Sequence, residues 1–113
     1  MNPADILRNA AAYIQKHGWI QGALDNDEGE VCALGAICAV TDRLLRSQPD
    51  YCWEEVEGLV RTARFALQLH IGCDLNHFGI GIPSWNDDPH TTAEDVILAM
   101  KHAAADYESQ EAL

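Results

Sequence analysis

Cys32 stands at the head of an apolar run, Val31 to Val40. A thiol at the N-terminus of a helix is the better nucleophile. With His77 or His90 as base, and Asn86 or Asp87 to orient it, the residue types of a cysteine hydrolase or transferase are present. Two features oppose that chemistry. The acidic stretch 25–30 lies just upstream and works against a thiolate, and Cys32-Ala33-Leu34-Gly35-Ala36 reads as a tightly packed helix start. A buried, inert thiol is the preferred reading.

A second constellation is His70-x2-Cys73-x3-His77, which offers three zinc-type ligands at a helix end and the loop beyond it. Cys52 or an aspartate would have to supply the fourth. No complete four-ligand signature exists, so metal is the minority reading and no cofactor is expected. Third come Trp85, Asn86 and Asp87, beside Asp88 and His90. They form either a polar patch for a ligand or, more simply, turn and cap residues around a core tryptophan. Fourth, Asp25, Asp27, Glu28 and Glu30 hint at calcium. The glycine falls one place too early for that loop, so a solvated acidic turn fits better. No phosphate-binding glycine loop, nucleophile elbow or H-E-x-x-H helix occurs.

The 113 residues amount to one domain, 1–113. Eighteen acidic residues against seven basic ones give a net charge of −11. That argues against direct binding of nucleic acid or an anionic membrane. No run approaches the ~20 apolar residues of a membrane span, and the first residues lack a secretory pattern. A cytoplasmic location is expected, and with it four reduced cysteines at 32, 38, 52 and 73. The charge is uneven. Residues 1–24 sum to +1, residues 25–30 to −4 and residues 91–113 to −4.

The elements that must position these residues are helical. Asn2-Pro3 reads as a cap and first position, and Ile6, Ala10, Tyr13 and Ile14 mark one face of a helix over 3–17, stopped by Gly18. Residues 18–31 form an acidic, glycine-punctuated loop whose Trp19, Ile20, Ala23 and Leu24 fold back on the core. The run at 32–46 is apolar all round and predicts a buried central helix. A third helix spans 51–70. Residues 71–91 read as a long Gly/Pro loop anchored by Ile80, Ile82 and Trp85. Thr91 and Glu94 predict a capping box for a fourth helix over 92–108, followed by a frayed tail at 109–113. The expected fold is all-α, a compact single-domain bundle of about four helices around an apolar central helix, with a long Gly/Pro-rich loop.

Gly18-Trp19 with Gly22, Cys32-Ala33-Leu34-Gly35-Ala36, and Ile82-Pro83-Ser84-Trp85-Asn86-Asp87 followed by Thr91/Thr92 and Asp95-Val96 occur in that order along the chain. This pattern resembles a family of small uncharacterised proteins, a domain of unknown function common in actinobacteria and their phages. The resemblance covers most of the chain and is weakest over 41–70. It implies an intracellular, phage-encoded protein and carries no activity.

Charge, size and the missing catalytic signature favour a non-enzymatic interaction protein. Its expected partner is a host or cellular protein of basic character, and one form is an acidic inhibitor of a nucleic-acid-handling machine. The expected binding residues are Asp25, Asp27, Glu28 and Glu30, with Trp85, Asn86 and Asp87. The chain is expected to act as a monomer or homodimer. The alternatives are a small thiol enzyme using Cys32 and His90, and a metal-stabilised module through His70, Cys73 and His77.

Overall fold

A computed structural model describes residues 2–48, 50, 52–72 and 81–111. Among these residues five helices follow one another: α1 (Pro3–His17), α2 (Ala33–Ser47), α3 (Trp53–Gly72), α4 (Ile82–Asn86) and α5 (Ala93–Glu111). The chain is an all-α single domain.

Each end of α1 has a local cause. The Asn2 side chain accepts the Asp5 backbone N–H at 2.9 Å, and the Asp5 carboxylate accepts the Asn2 N–H at 3.2 Å. Two of the helix's orphan donors are thereby satisfied reciprocally. Gly18, at φ +100°, turns the chain away and donates to the Ile14 carbonyl at 2.8 Å.

The core lies between α1, α2, α3 and α5. Ile6, Leu7 and Ile14 of α1 meet Ile37 of α2, Leu67 of α3, and Val96 and Met100 of α5. Each such side chain stabilises the fold by roughly 1.5–3 kcal/mol. Ala10 and Ala11 of α1 and Ala103 and Ala104 of α5 are also buried. These small residues let α1 and α5 pack closely, and this is the most extensive helix pair in the fold. Arg8 and Glu108 close the same interface with an exposed ion pair.

Several expectations are corrected. α1, not α2, is the central helix: it packs against α2, α3 and α5, whereas Cys38 on the outer side of α2 is exposed. Alanine and cysteine are small enough to sit outside as well as inside, so an all-apolar run overstated the burial of α2. The stretch 71–91 contains α4, with Pro83 in its first turn, where proline is pre-organised for helix rather than disruptive. Ile82 and Trp85 anchor it to the core as expected, while Ile80 lies outside the described residues. The cap of α5 is displaced by one residue. Thr92 and Asp95 form the reciprocal pair at 3.2 and 3.0 Å, while Thr91 is buried and its N–H bonds the Asp88 carbonyl. α5 itself continues to Glu111, into the stretch expected to fray.

Candidate functional site

The loop between α1 and α2 folds into a compact knot against α4. Val31 pairs with both Trp19 and Asp25 in isolated bridges: Ile20 donates to the Val31 carbonyl at 3.0 Å, and the Val31 N–H reaches the Gly18 carbonyl at 3.1 Å. Gly22 and Gly29 take φ of +83° and +87°, the left-handed region that glycine enters without strain. Leu24 crosses α2 at Gly35, and a Cβ there would lie 2.0 Å from the Leu24 carbonyl oxygen. Only glycine permits that crossing, and the same carbonyl accepts the Cys32 N–H at 3.1 Å.

Asn86 ties the knot to α4. Its Oδ1 accepts the Trp19 indole N–H at 2.7 Å and the Ala33 backbone N–H at 2.9 Å. Its amide donates to the Ile20 carbonyl at 3.2 Å and to Asp87 Oδ1 at 3.1 Å. The residue is 1% exposed, and its side-chain oxygen and nitrogen are both committed. One asparagine on α4 thus satisfies an orphan donor at the start of α2. Asp87 Oδ1 also accepts the Gly22 N–H at 2.9 Å. That backbone donor, and then the Asn86 amide, hold the Asp87 carboxyl below the usual carboxylate range. Gln21, which sequence reasoning passed over, adds bonds to the Asn86 and Asp88 carbonyls at 3.0 and 2.8 Å. A lone glutamine in a loop carried no signal of that role.

Cys32 is 9% exposed and caps α2 by accepting the Gly35 N–H at 3.3 Å. It lines a hollow of about 200 Å³ with Leu24, Ile82, Asn86 and Asp87, and among the described residues no histidine lines that hollow. His90 lines a different hollow, with Trp85, His70 and His102. The candidate nucleophile therefore meets its candidate orienting residues but not His90. His77 lies outside the described residues.

His70 reaches Asp106 at 3.4 Å and stands edge-on to His102 at 5.7 Å between ring centroids. Cys73 and His77 lie outside the described residues, and among those described no group of three or more metal-type side chains is placed to hold an ion.

The acidic segment is held in one shape. Asn26 Oδ1 accepts the backbone N–H of Glu28 and of Glu30, each at 3.0 Å, and its amide donates to Glu30 Oε1 at 2.8 Å. Asp25, Asp27 and Glu28 are exposed, and among the described residues none of the three enters an ion pair. Ala23 and Leu24 beside them are exposed rather than folded onto the core, Leu24 by 56%, while the Leu24 carbonyl lies against Gly35.

Of the motif residues read from the sequence, Gly18, Trp19, Gly22, Cys32, Ala33, Gly35, Asn86 and Asp87 converge on this knot, while Thr92 and Asp95 cap α5. A family model matches residues 1–106. The chain belongs to DUF6197, a family of unknown function. No curated protein matches the chain, and neither does any solved structure. In this DUF6197 chain the pattern residues are engaged with one another, which accounts for them as determinants of the fold. No described helix is long and apolar enough to cross a membrane.

Proposed function

We propose that this chain is a non-enzymatic interaction protein that binds and modulates a basic host or cellular protein through its acidic end. The observation that carries the reading is the display of Asp25, Asp27 and Glu28, three exposed carboxylates without cationic partners among the described residues, on a loop held by Asn26. A preformed array loses little entropy on binding, and like charges clustered on one edge steer a basic surface toward it. The net charge of −11 adds long-range attraction of the same sign. Asn86 and Asp87 tie α4 to Ile20 and Gly22 of the same loop. The finer form of the proposal is a phage-encoded protein acting in the cytoplasm of an actinobacterial host, as an acidic inhibitor of a nucleic-acid-handling machine.

The test is affinity capture of the tagged protein from host lysate at low and high salt, followed by mass spectrometry. A stoichiometric basic partner, lost at high salt and weakened by the double reversal Asp27→Lys and Glu28→Lys, is the expected result. Absence of any retained partner at low salt, or binding indifferent to the double reversal, overturns it.

A further inference from the structure

The seven basic side chains of this acidic chain are unevenly used. Arg8, Arg46 and Arg61 each enter an ion pair with a carboxylate. Lys16, Arg43, Arg64 and Lys101 do not, among the described residues, and of these four Lys16 and Arg43 line one hollow of about 380 Å³ between α1 and α2. That volume falls at the lower end of small-ligand sites. Lys16 and His17 in the last turn of α1 complement the helix dipole, which would account for those two alone. It does not account for Arg43, which lies inside α2, one position after Asp42, whose carboxylate is bound to Arg46 at 3.1 Å.

The wall of the hollow is a stack of flat groups. The Arg43 guanidinium lies over the Tyr13 ring at 5.5 Å from its centroid, and the Tyr13 and His17 rings are 4.2 Å apart and tilted by 34°. His17 also lines the hollow, and its Nε2 is buried without a hydrogen-bond partner among the described residues. A buried polar atom left unpaired costs about 1–3 kcal/mol, so it marks a place where a partner would be gained. Val40 and Leu44, both buried, supply apolar surface beneath.

We infer that this hollow binds a small organic phosphate that carries a flat ring. Its phosphate meets Lys16 and Arg43, a point charge and a planar fork suited to a tetrahedral anion. Its ring lies along the guanidinium and aromatic stack, where flat π-systems are favoured. His17 Nε2 takes a polar contact from the same ligand. The site is built from α1 and α2 and none of residues 25–30 lines it, so it stands whether or not the acidic loop binds a protein.

The experiment is calorimetric titration of the purified full chain with AMP, and separately with inorganic phosphate and with adenosine, mapped by amide and side-chain NMR shifts. AMP is expected to bind with a Kd below about 1 mM, to shift Tyr13, His17 and Arg43, and to outbind phosphate and adenosine by at least about tenfold each. The double change Lys16→Ala and Arg43→Ala is expected to weaken AMP by about tenfold or more with unchanged helical circular dichroism. Tyr13→Leu is expected to lower AMP affinity but not phosphate affinity. AMP, GMP, CMP and UMP all failing to bind at 10 mM overturns the inference. So does AMP binding that survives the double change or maps to other residues. Phosphate binding as tightly as AMP overturns the assigned ring.

Discussion

Asn86 Oδ1 and the Trp19 indole N–H meet at 2.7 Å across 67 positions of sequence, and the same oxygen accepts the Ala33 N–H at 2.9 Å. Replacing Asn86 by alanine leaves two interior donors without an acceptor, each costing roughly 1–3 kcal/mol. Asn86→Ala is expected to lose about 3 kcal/mol of unfolding free energy in urea titration, with the Trp19 emission moving to longer wavelength. An unchanged midpoint would remove Asn86 from the centre of the fold.

Gly35 and Gly58 give opposite predictions. A Cβ at Gly35 meets the Leu24 carbonyl at 2.0 Å, while one at Gly58 on the outside of α3 meets nothing within 4 Å. Gly35→Ala is expected to destabilise by about 3 kcal/mol or more through overpacking against backbone. Gly58→Ala is expected to stabilise by about 0.5–1 kcal/mol through helix propensity. Thermal melts of both variants check the pair.

Asp87 carries the pH dependence. Its folded pKa is lowered, first by the Gly22 N–H and then by the Asn86 amide. Its contribution is therefore full above the ordinary unfolded value near ~3.9 and is lost as the pH falls through the lower folded value. The stability gap between wild type and Asp87→Asn is expected to be flat from pH 7 to about pH 5 and to shrink toward zero below about pH 3. A gap that grows on acidification contradicts the arrangement.

The cysteines differ in access. Cys38 and Cys52 are exposed, while Cys32 is held against the Gly35 N–H. Iodoacetamide at pH 7, read by peptide mass mapping, is expected to label Cys38 and Cys52 as free thiols and Cys32 at least about tenfold more slowly. Labelling of Cys32 faster than Cys38 would return the thiol-enzyme reading to first place.

Helix α1 was legible to the residue, because Asn2, Pro3 and Gly18 act within a few positions of themselves. α4 was not, because Gly81, Pro83 and Pro89 read as loop until Ile82 and Trp85 have a core to enter. The same divide runs through the candidate site. Asn86 and Asp87 were recognisable as side chains that satisfy backbone donors. Which donors they satisfy, at Ala33 and Gly22, depends on a fold that closes more than fifty residues. The hollow at Lys16 and Arg43 left only a trace, the small positive balance of residues 1–24, since its second cation arrives on a different helix.

The Asn86 bonds also set how this end of the molecule breathes. The Trp19 indole proton and the Ala33 amide proton share one acceptor oxygen, so any motion that carries Asn86 away frees both. Both are released together when α4 lifts away. In deuterium exchange the two protons should report a single opening free energy, making the head of α2 and the loop before it one cooperative unit rather than a helix with a loose leader.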